Sequence, residues 1–363
     1  MKDFLQKIYQ AINPEKDDEL KTAFSYSEKH LPTLWLLGKT GTGKSSLIRC
    51  LTGLTEVEIG NGFQPCTQSA QRYIYPSNFP TIAFLDTRGL AEADYDASAD
   101  IQACTQQSHA LLILMRVDEP EQKQVLDALK QIKKAGTIEQ CLVIHTGIDL
   151  IADDTELQHC IKYNQEQVKA ILGDTDNVAV SFLDELKAKQ LLVPKISQML
   201  PILNEILIDQ QHSDIEAENF QRFKTEVLWY AGAAGAADAV PAIGAVVVPT
   251  IQGKMLHSLA QQYGLPWDKQ LLSEFIGALG TGFLIQQASR FGLRQLIKFI
   301  PVYGQVVGSV TAAAISYAVT YALGRVAAMY FYRKVRQEPV SRDDLKRTFD
   351  DTFTQMLTLR EKS

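Results

Sequence analysis

With 363 residues, 46% hydrophobic and 21% charged, the chain is too apolar for a disordered protein and long enough for two domains rather than one. Five scattered cysteines (Cys50, Cys66, Cys104, Cys141, Cys160), with no CxxC pair and no His–Cys cluster, speak against a disulfide framework or a zinc site and for free thiols in a reducing cytosol. The net charge of −6 is uneven: residues 1–220 carry 20 basic against 32 acidic side chains (−12), residues 221–336 carry 11 against 4 (+7), and the remainder 5 against 6 (−1), which marks a change of domain.

The N-terminus is polar, without the apolar core of a signal peptide, so export is not expected. Residues 1–30 read as an amphipathic helix on Phe4, Leu5, Ile8, Tyr9 and Ile12, followed by an acidic stretch and a second short helix. From Thr33 onward six short apolar runs ("TLWLLG", "AQRYIYP", "TIAFLD", "ALLILMRV", "CLVIHT", "NVAVSF") alternate with helical candidates near 45–52, 93–107, 120–134, 154–171 and 195–210. That alternation predicts an α/β domain with a mostly parallel six-stranded sheet covered on both faces. Beyond about Ser213 no strand signal returns, and Ala/Gly-rich apolar segments predict an all-α domain ending in a charged helical tail. The expected division is an N-terminal helical segment (1–30), an α/β domain (31–212), a helical domain (213–336) and a tail (337–363).

The strongest motif is "GKTGTGKS", Gly38 to Ser45, which fits G-x-x-x-x-G-K-[ST] between the strand "TLWLL" and the helix "SSLIRCL". Its glycines Gly38, Gly41 and Gly43 allow the backbone amides of Lys39, Thr40, Thr42 and Ser46 to converge on phosphate. Lys44 is placed to reach the β and γ phosphates, and Ser45 to ligate Mg²⁺. Forty-eight residues after Gly38, "FLDTRGL" is a second strand ending in a polar turn; Asp86 would hold Mg²⁺ and the Gly89 amide would sense a γ-phosphate. Thr67, between the two, is the candidate Mg²⁺-binding threonine of a first switch loop. Lys44, Thr67 and Gly89 are therefore the expected catalytic group, with Ser45, Thr67 and Asp86 at the metal.

A base-reading loop is expected after the fifth strand, in "TGID": Thr146, Gly147, Ile148, Asp149. The Asp149 carboxylate can accept from the N1–H and N2–H₂ of guanine, a pattern adenine does not offer. Gly147 stands where a lysine usually braces the phosphate loop, while Thr146 keeps a bracing hydroxyl. Ser181 and the amide of Phe182, after the sixth run, would meet the guanine carbonyl. His145 and His257 have no matching metal partners and read as structural; Asp153/Asp154 and Asp343/Asp344 read as helix N-terminal acids.

The ordered series "GKTGTGKS", Thr67, "DTRG", "TGID" and "VSF" resembles the Era-like and YfjP-like bacterial GTPases of the translation-factor-related class. The GxTGxGKSS loop is also similar to that of septin-like and immunity-related GTPases. The resemblance covers about residues 31–212 and implies a P-loop GTPase that binds GTP/GDP and Mg²⁺. Two positions depart from it: Gly147, and Leu90, which replaces the glutamine that orients the attacking water. Leu90 implies slow hydrolysis unless a partner, a second copy of the domain or a mobile switch residue such as Arg88 supplies the missing group. Gly41 stands where potassium-activated relatives carry asparagine, so potassium stimulation is not expected.

The segment from "AVPAIGAVVVPTIQGK" to about residue 332 resembles the C-terminal domain shared by many bacterial GTPases and by YcjF-like inner-membrane proteins. Residues 299–324 form a run of 26 uncharged residues, long enough to span a bilayer, yet Pro301, Gly304, Gln305, Ser309, Thr311, Ser316 and Thr320 dilute it. Asp238 and Glu274 limit the other two runs to 15 residues each. Small residues at Gly304 and Gly308, and at Gly277 and Thr281, suit membrane pairs and tight soluble hairpins alike. Two readings stand: membrane association by shallow insertion or one hairpin, or a soluble bundle docked on the GTPase. The expectation is a GTP-hydrolysing switch with a helical effector domain at the cytoplasmic face of a bacterial inner membrane, with lipid, a homodimer through the GTPase domain and a protein effector as partners. A dynamin-like scaffold acting by assembly on membranes and a soluble assembly factor are the alternatives. Nucleic acid is not an expected partner, because no basic domain such as a KH motif is present.

Overall fold

The run Thr33–Leu37 (β1) is buried at every position and sits in the middle of the sheet in the computed structural model of the chain. The structure describes residues 17–54, 64–65, 70–87, 98–136, 140–207, 215–239, 244–280 and 312–361. It divides into two compact units, residues 31–208 and a second unit in which the N-terminal segment to His30 joins Asp209–Lys362.

In the first unit the strands β2 (Gln64–Pro65), β3 (Ala70–Tyr75), β4 (Ile82–Thr87), β5 (Ala110–Arg116), β6 (Cys141–Thr146) and β7 (Asp176–Val180) join β1 in the order β2-β3-β4-β1-β5-β6-β7. The strands β4, β1, β5, β6 and β7 run parallel, and β3 is antiparallel to β4. Each of the six apolar runs is a strand, and the sheet is mostly parallel as expected. The two-residue β2 is the addition, too short to leave a periodic signal.

Helices α2 (Lys44–Thr52), α3 (Ser98–Gln107), α4 (Lys123–Ala135), α5 (Asp154–Leu172), α6 (Glu185–Met199) and α7 (Ile202–Leu207) accompany the sheet. One face of it, through Trp35, Leu37, Leu111, Ile113, Met115 and Val143, packs on Ile101 of α3, Val125, Leu129 and Ile132 of α4 and Val168 of α5. Apolar side chains on both faces explain why these strands read as continuous runs rather than alternating ones. Asp153 caps α5 by accepting from the Glu156 amide, which accords with its reading as a helix acid. The helix expected near 195–210 instead begins at Glu185, because Asp184 caps it through the Lys187 amide, and it runs through Pro194 before α7 follows.

The second unit contains α1 (Asp17–Lys29), α8 (Ile215–Ala239), α9 (Gly244–Gln262), α10 (Lys269–Leu279), α11 (Ala312–Val335) and α12 (Arg342–Glu361). Small residues let α8 and α11 approach: a methyl on Gly235 would stand 2.9 Å from the Ala313 carbonyl, and one on Gly324 would stand 2.5 Å from Val227. Phe24 of α1 stacks on Trp229 of α8 at 4.3 Å. Polar side chains inside the unit are paired: Arg325 with both oxygens of Glu216 at 2.6 and 2.8 Å, Ser316 with Asp238 at 2.6 Å, and Gln252 with Thr320 at 3.0 Å. Among the described residues one helix, Ala312–Val335, is long and apolar enough to cross a membrane, and 67% of its apolar window is buried within the structure.

Two stability predictions follow from this packing. Gly324→Val should cost about 1–3 kcal/mol by forcing Val227 aside, whereas Gly277→Ala, with open space around it, should gain up to about 1 kcal/mol from helix propensity; urea unfolding of each variant reads the difference. His145 is completely buried on β6, and burial pushes its imidazole down from 6.5 to about 4 although the Gln165 amide pulls the other way. The unfolded chain therefore binds a proton that the native one refuses between those values. Stability from this group is present above pH 6.5 and lost as pH falls towards 4, by up to about 3 kcal/mol, so a His145→Met variant should show a flatter acid limb in the same assay.

Candidate functional site

β1 ends at Leu37, and the chain turns at once to reach the start of α2. A methyl on Gly38 would lie 2.6 Å from the Thr42 hydroxyl and 2.8 Å from the Leu114 carbonyl, so the loop closes only around a glycine. Gly41 and Gly43 take φ of +83° and +94°, the left-handed region that side chains avoid. Gly43 is also the N-cap of α2 and offers no side chain to its first turn. The leading amides of α2 thus face outward with the positive end of the helix dipole, an arrangement suited to an anion.

Lys44 bends back over this loop. Its ammonium donates to the carbonyls of Gly38 at 2.7 Å and Lys39 at 3.0 Å, and lies 3.8 Å from Asp86 Oδ1. Asp86 is buried near the end of β4, where it pairs in register with Leu36 of β1. The Thr42 hydroxyl donates to the Lys39 carbonyl at 2.8 Å, and the buried Thr146 hydroxyl donates to the Thr42 carbonyl at 2.9 Å. Thr40 and Ser45 are exposed and Ser46 is half-buried. The Lys39 side chain points elsewhere, paired with Glu119 and donating to the Glu121 carbonyl at 2.8 Å.

On the base side Gly147 has φ +72° and opens a short 3₁₀ turn, Ile148–Leu150, which presents Asp149 to solvent. A side chain at 147 would meet Leu150 at 3.3 Å and Asp118 at 3.5 Å, so the departure from lysine coincides with a backbone that favours glycine. Ser181 follows β7 and accepts from the Leu183 amide at 3.2 Å. The ring of Phe182 reaches to about a methyl's distance of Gly43, 3.0 Å from a Cβ built there. The structure therefore brings together Gly38 to Ser46, Asp86, Thr146 and Phe182, with Asp149 and Ser181 at the same carboxyl edge of the sheet. Thr67 and Gly89, and with them Arg88 and Leu90, lie outside the described residues.

The turn after β5 carries side chains that motif matching passes over. Arg116 grips Asp118 with two bonds, Nε to Oδ1 at 2.9 Å and Nη2 to Oδ2 at 2.6 Å, and its Nη1 lies 3.5 Å from the Gly41 carbonyl. That bond holds the Asp118 carboxyl below the usual carboxylate range. The only trace in sequence is a charged trio, Arg116, Asp118 and Glu119, directly after an apolar run.

The donors present fit a hard divalent cation next to phosphate: a hydroxyl at the head of α2 and one buried carboxylate. No group of three or more His, Cys, Asp or Glu side chains that could hold a metal ion occurs among the described residues.

A glycine-built loop with its lysine folded over it, at the carboxyl edge of a parallel sheet and beside a buried aspartate, defines a P-loop nucleotide-binding protein. Residues 32–231 match the AIG1 family, and the chain belongs to this family of P-loop GTPases, whose family-level activity is GTP binding and hydrolysis. It is similar to "Magnetosome membrane protein 22" of Magnetospirillum gryphiswaldense, 32% identical over 123 residues that make up 34% of this chain. The chain spans 61% of that relative's length. The crystal structure of the bacterial selenocysteine-specific elongation factor EF-Sec is similar at 17% identity with a TM-score of 0.37, over 48% of this chain and 30% of that one.

Thr146→Val deletes the hydroxyl that holds the Thr42 carbonyl inside the protein. Nucleotide affinity should fall about tenfold, the value of one buried hydrogen bond left unmade, with the melting temperature of the nucleotide-free protein lowered only slightly; titration with a fluorescent nucleotide and a thermal melt read the two effects.

Proposed function

We propose that the chain is a GTP-hydrolysing switch whose nucleotide state governs its helical unit, working at a membrane surface. The observation that carries the reading is the Lys44 ammonium, held over the phosphate loop 3.8 Å from buried Asp86. In this reading the amides of the Gly38 to Ser46 loop and Lys44 bind phosphates, and Ser45, Thr67 and Asp86 hold Mg²⁺. Bound Mg²⁺ supplies charge neutralisation at the β and γ phosphates. Asp149 accepts from the guanine edge, Ser181 and the Phe182 amide donate to its carbonyl, and Gly89 reports the γ-phosphate. Gly41 favours no potassium site.

Water is poorly oriented by Leu90, so turnover is slow until a partner or a second copy completes the site. The motif series supports a place near the Era-like and YfjP-like enzymes within this broad class. Membrane work is supported by the net +7 of residues 221–336, which favours anionic lipid, and by likeness to a magnetosome membrane protein. Surface contact suits the helical unit better than a span by α11, because Ser316, Thr320 and Arg325 of that helix are engaged with Asp238, Gln252 and Glu216 and would have to be released.

The deciding experiment is competition of GTP, ATP and XTP against a fluorescent guanine nucleotide on the full chain, with Asp149→Asn and Lys44→Ala alongside. GTP should win by at least about tenfold, Asp149→Asn should move preference towards XTP, and Lys44→Ala should abolish binding of all three. Equal competition by ATP with no effect of Asp149→Asn removes the guanine assignment and leaves a phosphate site.

A further inference from the structure

We infer that Arg116 takes over the work of the lysine missing at position 147, bracing the phosphate loop from the neighbouring strand and, through Asp118, flanking the turn that carries Asp149. This rests on the guanine-nucleotide reading above and adds a positioning residue to it.

Three observations converge. First, Arg116 is the last residue of β5, the strand between the phosphate-loop strand and the base-loop strand, so its side chain starts between the two loops that need joining. Its Nη1 lies 3.5 Å from the Gly41 carbonyl, the long end of hydrogen-bond range but close for two charged or dipolar groups across a loop. Second, the guanidinium is not free to wander. Asp118 holds it in two-pronged geometry at 2.9 and 2.6 Å, the arrangement for which a planar fork suits better than an ammonium. Third, Asp118 brings the Arg116–Asp118 pair alongside the base loop. Asp118 Oδ1 is 3.5 Å from a Cβ built on Gly147, whose positive φ already favours glycine. Asp149 lies near enough to act on the Arg116 charge.

The surrounding turn acts with it. Glu119 and the Glu121 carbonyl hold Lys39, so the end of β5 and the turn after it touch the phosphate loop at two points, Gly41 and Lys39. Glycine at 147 and arginine at 116 thus form one compensated pair: the cation has moved from the base loop to the end of the adjacent strand.

The test is release of fluorescent GDP from the full chain, measured by stopped flow for the wild type, Arg116→Ala, Arg116→Lys and Asp118→Asn, with melting temperatures of the nucleotide-free proteins. Arg116→Ala should speed release about tenfold. Arg116→Lys, which keeps the cation but loses the two-pronged grip, and Asp118→Asn, which loosens it, should both fall between wild type and Arg116→Ala. Arg116→Ala should also be non-additive with Asp149→Asn in GTP affinity, a coupling that a purely structural role would not produce. If Arg116→Ala releases GDP like the wild type while Lys44→Ala still loses it, the proposal fails and the phosphate site stands. If both Arg116 variants lose nucleotide and melt early together, Arg116 is a fold residue and the proposal fails. Should Arg116→Ala not fold, wild-type release from Asp118→Asn is the overturning result. A wild type that ignores guanine nucleotide altogether removes the underlying reading, and the inference with it.

Discussion

The phosphate loop takes its shape around the ammonium of Lys44, which the loop's own carbonyls at Gly38 and Lys39 hold at 2.7 and 3.0 Å. A cation bound by the backbone that surrounds it tolerates no side chain at Gly38 and requires left-handed turns at Gly41 and Gly43. The neighbouring strands are subordinate to that requirement. β4 brings Asp86 against the cation, β5 ends at the turn that holds Lys39, and β6 ends at the hydroxyl that holds Thr42. A parallel sheet suits this task because all its strands deliver their last residues to one edge.

The helical unit follows a different rule. Its small residues allow backbone approach at α8 and α11, large side chains such as Phe275, Phe331 and Phe349 fill the rest of its interior, and interhelical polar pairs carry part of the specificity. Glu216 is buried and Arg325 half-buried, and Arg325 also lies over the Phe220 ring at 4.9 Å. A buried ion pair gives little net stability because desolvation offsets attraction, but a misregistered helix would leave each charge unpaired, at a cost of several kcal/mol. The pair therefore acts as a register pin between α8 and α11.

What could be read from sequence was what local pattern encodes. Six strands stand out because each is apolar at consecutive positions, and the phosphate loop stands out because glycine, lysine and serine recur at fixed spacing. The start of α6 is hard to see in sequence because its signal, Asp184 capping the Lys187 amide, lies in a stretch that also contains Pro194, and a proline ordinarily marks a helix boundary. The two residues of β2 are too few for any period. Arg116 escapes for another reason: its partners Gly41 and Asp118 are joined only once β5 lies beside β1, and a charge at a strand end carries no mark of the carbonyl it will meet. The pairing of α1 with α8 is likewise invisible in sequence, since nothing in Phe24 announces Trp229.

That last pairing makes the helical unit discontinuous: its first helix is synthesised before the whole P-loop unit, and its other helices after it. During translation α1 leaves the ribosome with its aromatic face unsatisfied and must wait while an entire α/β domain folds downstream. Closing so long a loop adds only a modest entropic cost, but the delay leaves the aromatic side chains of α1 exposed and prone to wrong partners or chaperones. A chain truncated after the P-loop unit would keep that orphan helix permanently, so a soluble isolated GTPase fragment should begin at residue 31 rather than at the first methionine.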